Sequence, residues 1–266
     1  MLPISRLTIP AYASSHSRLA VITTLTETGR SDYARRVELY HQFAENVRRI
    51  GVPLYTVEIS RPGTGFVTAD DGTNVRISRA PQPHLWQKEH LLNCLLLRIP
   101  FQFSAIAWLD ADVVYEHDAW AAAAEGAMEK FAVVQMFDQA HWLLEDGSPL
   151  WTFRSCVDKS LFGSREVQVP GFGWCARRSF LEGTGGLYAR GGAGSNGAIM
   201  AAAYSPQFHL GDYAAGGSRS AARWIRTARK SGAASFLRGH TIRHMWHGSI
   251  QARRYRQWDR DLIDAR

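Results

Sequence analysis

Between residues 19 and 137 the chain alternates two kinds of segment, and that alternation restricts its fold more than any other feature. LAVITTLT (19–26) is apolar and β-branched, the composition of a strand. YARRVELYHQFAENVRRI (33–50) carries apolar residues at helical spacing and stops at Gly51, a helix C-terminal signal. PLYTVEIS (53–60) reads as a second strand, 61–72 as a loop rich in Gly, Thr and Asp, and NVRIS (74–78) as a third strand. LWQKEHLLNCLLLRI (85–99) reads as a helix ended by Pro100, and AIAWLDADVVY (105–115) as the next strand. Asp118 is placed to cap the helix AWAAAAEGAMEKF, and AVVQMF (132–137) is another strand. Strands and helices in strict alternation predict an α/β fold: an open, mostly parallel sheet flanked by helices on both faces. Such sheets bind ligands beyond the carboxyl ends of their strands.

The stretch AIAWLDADVVYEHDAW (105–120) sets two acids inside an apolar run. Taking a carboxylate out of water without a partner costs several kcal/mol. Alternate strand residues share a face, so a regular strand aims Asp110 and Asp112 at one point and Ala111 away from it. Two like charges that close share a proton or bind a cation. Oxygen ligands of this kind suit Mn2+ or Mg2+. The competing reading is a strand end with two solvated acids that cap a helix or loop.

In this setting LDADV resembles the Asp-X-Asp motif of glycosyltransferases with the GT-A fold, of bacterial and phage type. The resemblance covers roughly residues 19–260 and is firmest over 85–137. It implies a Rossmann-like GT-A domain over residues 1–266, with a nucleotide-sugar half (19–137) and an acceptor half with a basic, helical C-terminal tail (138–266). It implies that Asp110 and Asp112 hold a divalent metal, Mn2+ or Mg2+, against the diphosphate of a nucleotide-sugar donor, a UDP-sugar. Thr23 and Thr24 stand where such enzymes grip the nucleoside, and Lys88 where a helix start approaches the donor phosphate. GFGWCARRSFLEGTGGL (171–187) is similar to the glycine-rich segment that lines the sugar and acceptor pocket, which gives Gly173 and Trp174 acceptor roles; Trp142 joins them as a stacking residue. HMWHGSIQARRYRQW (244–258) is similar to the C-terminal segment that completes the metal site. His247 is its expected ligand, His244 the rival, and Arg253 and Arg254 the diphosphate contacts, with Arg256 following. The sequence departs from the pattern at Asn196, which stands about where a general base is expected. An amide takes no proton at neutral pH. The base then comes from elsewhere (Asp138, Glu145, Asp146 or Asp212), or the enzyme is retaining, or the chain is inactive.

Charge bears on the acceptor. Residues 213–266 hold 12 Arg or Lys against three Asp, and residues 1–212 hold 19 basic against 21 acidic. The first part is therefore −2 and the tail +9. An Arg-rich tail suits phosphate oxygens. Taken with the resemblance, this implies an acceptor that is a glycan or lipid-linked saccharide, or else hydroxymethylated, phage-type DNA. Two other classes stay open. One is a nucleotidyltransferase with paired Asp and Mg2+, for which TTLTETGRSD is a poor version of the glycine-rich loop. The other is a non-catalytic nucleic-acid-binding module, which leaves Asp110 and Asp112 unexplained. No segment approaches the ~20 apolar residues of a membrane span. The start, MLPISRLTIPAYASS, lacks a signal-peptide pattern. Cys94, Cys156 and Cys175 are widely spaced, which fits reduced thiols of a cytoplasmic protein.

Overall fold

A computed structural model of the chain describes residues 17–27, 32–80, 88–161, 164–191, 195–205 and 218–248. The elements run β1 (Leu19–Thr26), α1 (Tyr33–Arg49), β2 (Leu54–Ser60), β3 (Asn74–Ser78), α2 (Lys88–Leu96), β4 (Ala105–Leu109), β5 (Val113–Tyr115) and α3 (Trp120–Met128). They continue with β6 (Val133–Gln135), β7 (Gln139–Leu143), β8 (Pro149–Ser155), a short 3-10 turn (Lys159–Leu161), β9 (Gln168–Val169) and β10 (Gly173–Arg177). Then follow α4 (Arg178–Thr184), α5 (Ser195–Tyr204), α6 (Arg219–Lys230), β11 (Ala234–Phe236) and β12 (Thr241–His244).

The strands form two sheets. A seven-stranded sheet has the order β11-β6-β10-β4-β1-β2-β3, and a five-stranded sheet the order β5-β12-β7-β8-β9. In the larger one, β1 runs parallel to β2 and β4, β2 to β3, and β6 to β11; only β10 is antiparallel. Strands β1, β2 and β4 are nearly continuous apolar runs because both faces of the sheet are covered. One face packs on Leu91, Leu92 and Leu95 of α2, Phe180 of α4, Ile199 of α5 and Trp224 of α6. The other packs on Tyr40, Phe43 and Val47 of α1 and Trp120, Ala124 and Met128 of α3. The fold is therefore the expected α/β class. Among the described residues no helix is long and apolar enough to cross a membrane.

Helix α1 ends as its sequence signals, with Gly51 in the left-handed region (φ 75°) donating to the Arg48 carbonyl at 2.9 Å. Several expectations differ. The segment read as one strand, 105–115, is two: β4 ends at Leu109 in the large sheet and β5 starts at Val113 in the small one. Asp118 does not cap α3, whose N-cap is Ala119; it pairs with Arg49 instead. Helix α2 stops at Leu96 rather than Ile99, and Arg178 takes the following carbonyls of Ile99, Pro100 and Phe103. The irregular stretch after 138 supplies β7, β8, β9 and β10, none read from the sequence. The tail is helical over α6, but β11 and β12 then join the two sheets, and the second expected helix, 249–262, lies outside the described residues.

One side chain ties the sheets together. Gln135, fully buried at the end of β6, accepts from Ser155 Oγ and Cys156 N at 2.8 Å each and donates to the Val169 carbonyl at 2.8 Å. Its neighbours across the bonds belong to β8, β9 and the turn between them.

Candidate metal centre

The break between β4 and β5 makes the site. Residues 110–112 cross from one sheet to the other at the carboxyl edge of β4. Asp110 N donates to the Phe172 carbonyl at 2.9 Å, and the Asp112 carbonyl accepts from Met245 N at 2.9 Å. The second bond continues the pairing of β12 with β5, in which His244 faces Val113 and Ile242 faces Tyr115. Past its last paired residue the chain is held on α1, where Arg35 Nε donates to the Trp246 carbonyl at 3.3 Å.

Three side chains converge. Asp112 Oδ2 lies 3.0 Å from His247 Nε2 and 3.5 Å from His244 Nε2. One ligand atom from each residue falls within 4.8 Å of the other two. Both imidazoles are buried. Burial acts to raise the Asp112 carboxyl, but His244, the hydrogen bond from His247 and then Arg36 override it and hold the group far below the usual carboxylate range. Its second oxygen, Oδ1, is buried and accepts no hydrogen bond among the described residues. An oxygen with no hydrogen-bond partner among the described residues, on an ionised, half-buried carboxylate beside two imidazoles, is a donor set that fits a divalent metal. Asp32 stands behind it, with Oδ2 3.9 Å from His247 Nδ1 and 3.1 Å from Arg36 Nε.

Of the three expected ligands, Asp112 and His247 meet, and His244, the rival ligand, joins them. Asp110 is not among the three converging side chains. The chain turns after Leu109 instead of continuing as a strand, and Asp110 forms an ion pair with Lys88. Burial alone would lower Lys88, but Asp110 and then Glu89 outweigh it and raise its pKa. Asp110 is raised by burial, against the pull of Lys88 and with the charge of Asp112 adding to the rise. Lys88 thus stands at the site, held by the acid that the sequence assigned to the metal.

The other expected residues lie in the following surroundings. Thr23 donates to the Leu109 carbonyl at 2.7 Å and locks β1 to β4; Thr24 is half-buried on the opposite face of β1. Gly173 is there for packing, because a Cβ would stand 2.6 Å from Leu109 Cδ2. Trp174 is 3% exposed and donates to the Pro170 carbonyl at 2.8 Å, so it offers no stacking face. Asp138 is held by Arg154 at 2.7 Å and accepts from Gly239 N, beside Gln139 and Thr241 at the end of β12 away from His244. Arg253, Arg254, Arg256 and Asp212 lie outside the described residues. Asn196 is buried; it donates to Glu89 Oε2 and accepts from Gly191 N, each at 2.8 Å. Asn196→Asp is expected to cost about 2 kcal/mol, because it replaces a donor by a second carboxylate facing Glu89, and to bring no gain in activity. A urea melt and a turnover assay check both; faster turnover would restore position 196 as a base site.

Nothing in the sequence marks the backbone of Phe172 or the contact of Trp142 with His244. Phe172 has a left-handed backbone (φ 72°), a conformation that costs a non-glycine residue about 1 kcal/mol or more. The strain sets its carbonyl on Asp110 N and its ring 5.0 Å from His244. Trp142 lies against the same imidazole, with ring centroids 4.6 Å apart. The His244–His247 spacing was the available signal for the second ligand.

No family model matches the sequence, and no curated protein matches it. Among solved structures it is similar to Drosophila β1,4-galactosyltransferase 7 in complex with manganese, UDP-Gal and xylobiose, at 10% identity over 89% of this chain and 74% of that chain, TM-score 0.44. It is similar to glucosyl-3-phosphoglycerate synthase of Mycobacterium tuberculosis in complex with Mn2+, UDP and phosphoglyceric acid, at 10% identity over 92% and 75%, TM-score 0.43. It is also similar to 4-diphosphocytidyl-2C-methyl-D-erythritol synthase of Anaerococcus prevotii, at 9% identity over 93% and 96%, TM-score 0.42. Likenesses this distant assign no activity to the chain.

Proposed function

We propose that the chain is a metal-dependent glycosyltransferase that moves a sugar from a nucleotide-sugar donor, a UDP-sugar, to an acceptor hydroxyl. The observation that carries this reading is the meeting of Asp112, His244 and His247 at the carboxyl edge of β4, with Asp112 Oδ1 buried and accepting no hydrogen bond among the described residues. Open parallel sheets take their ligands at that edge. Mn2+ fits the set better than Mg2+, which takes oxygen ligands almost alone, whereas imidazoles suit transition metals. When bound, such an ion acts as a Lewis acid at the leaving diphosphate.

The chain's own groups divide the remaining work. Asp112, His244 and His247 hold the ion, and Asp32 orients the His247 ring from behind. Lys88 binds the donor phosphate, whose oxygens compete with Asp110 for its ammonium. The half from residue 19 to 137 carries the donor along the edge of β1 and β4. The half from 138 onward carries the acceptor beside Trp142.

The test is turnover of UDP-sugars with Mn2+ or with EDTA, read as UDP release and as free or transferred sugar by mass spectrometry. Mn2+-dependent UDP release that EDTA abolishes is expected. Pyrophosphate from a nucleoside triphosphate and a sugar 1-phosphate would instead make the chain a nucleotidyltransferase. Binding of nucleic acid with no response to Mn2+ would make it a non-catalytic module.

A further inference from the structure

The small sheet carries two rows of side chains on the face that turns toward the large sheet. Register places Tyr115, Ile242, Ala140 and Phe153 in one row, and Val113, His244, Trp142 and Trp151 in the next. Ile242 and Ala140 of the first row are buried in the core, with Tyr115 and Phe153 packed against it. The second row starts at the metal centre and runs outward. His244 touches Trp142, and Trp142 meets Trp151 edge to face at 5.8 Å between centroids. Neighbouring strands stand about 4.8 Å apart, so two steps put Trp151 about 10 Å from His244. Among the described residues, the smaller sheet's last strand, β9, pairs only with Arg154 and Ser155. Trp151 therefore sits on an open edge, and it is 46% exposed.

We propose that Trp151 is the stacking platform for a neutral saccharide acceptor, whose hydroxyl is thereby led along the Trp142 ring to the metal centre. This rests on the transferase reading above and names the acceptor class for the same site. A tryptophan on a rim offers a large rigid apolar face with a polar edge, and a pyranose ring presents a face of C–H groups to it. Charge selects the saccharide over a nucleic acid. From Asp138 to Phe153 the chain holds three acids, Asp138, Glu145 and Asp146, and no lysine or arginine. The next basic residue, Arg154, is held by Asp138 and Asp158. Glu145 and Asp146 are exposed on the turn between β7 and β8. A phosphate backbone meets cations where it binds; along β7, the turn after it and β8 as far as Phe153 it would meet carboxylates and no lysine or arginine.

The full chain, with Mn2+ and UDP, is titrated by ligand-observed NMR with xylobiose, cellobiose, lactose and maltose, and separately with a short single-stranded oligodeoxynucleotide. Binding of at least one disaccharide through its ring C–H protons is expected. Trp151→Ala should weaken it about tenfold, and Trp151→Tyr should restore most of the affinity. Mn2+ and UDP binding, read in the same samples, shows that each variant is folded at the site. The platform is overturned if Trp151→Ala binds the disaccharide like the parent chain, or if Mn2+ and UDP bind and none of the disaccharides does. It is equally overturned if the oligonucleotide binds through Trp151. A parent chain that binds neither Mn2+ nor UDP removes the transferase reading and the platform with it.

Discussion

Asp112→Ala is expected to weaken Mn2+ binding by more than about 100-fold and to abolish metal-dependent turnover. Loss of a partner behind a metal ligand already costs 10- to 100-fold in affinity, and this change removes a proposed ligand itself. The carboxylate touches both imidazoles, at 3.0 and 3.5 Å, and supplies the buried oxygen that accepts no hydrogen bond among the described residues. It also supplies the negative charge among the three candidate ligands, since imidazoles bind metals as neutral groups. Isothermal titration with Mn2+ and an assay of UDP release measure the two effects. Asp110→Asn is the informative comparison. Asp110 is joined to Lys88, so its loss should disturb donor affinity more than Mn2+ affinity. Equal loss of Mn2+ binding in both variants would return Asp110 to the metal. Full activity of Asp112→Ala with EDTA present would end the metal assignment altogether.

The largest expected effect on stability comes from Gln135→Leu. The substitution keeps the volume and removes every polar partner. It leaves Ser155 Oγ, Cys156 N and the Val169 carbonyl without the bonds they make at 2.8 Å. An unsatisfied buried group costs about 1–3 kcal/mol; two of these bonds are buried and that to Val169 only partly so, which gives a total of about 3–5 kcal/mol. In a chain of this size that lowers Tm by on the order of 10 °C. Gln135→Glu should fall between, because a carboxylate still accepts from Ser155 and Cys156 but cannot donate to Val169. Scanning calorimetry orders the three proteins. A Gln135→Leu chain that melts within about 2 °C of the parent would show that the sheets are joined by packing alone.

The contrast between these two residues shows how far the sequence could be read. Asp112 was conspicuous, because a charge in an apolar run demands a partner. Gln135 was one amide in AVVQMF, and nothing local marks it as the link between β6, β8 and β9. His247 drew notice from its Trp-His-Gly setting. His244 was left as a rival because its direction depends on β12 pairing with β5, which no short window contains. Trp142 and Trp174 looked alike in sequence. Strand pairing put Trp174 into the core against Trp108 and Gln135, and Trp142 beside His244. Asn196 stood in a plausible place for a base, and only the approach of Glu89 from α2 shows its amide to be a brace.

The sequence by itself determined the layered sheet and its covering helices. Periodic apolar residues and stop signals such as Gly51 act within one turn or one strand, so their meaning survives without the rest of the chain. Tertiary structure alone decided that residues 105–115 divide between two sheets. It alone brought His244 and His247 to Asp112 from more than a hundred residues along the chain. Such contacts form only after loop closure, whose entropy must be recovered from many pairings at once. Which carboxylate meets the imidazoles is therefore a property of register between strands distant in sequence, and not of the Asp-Ala-Asp triplet.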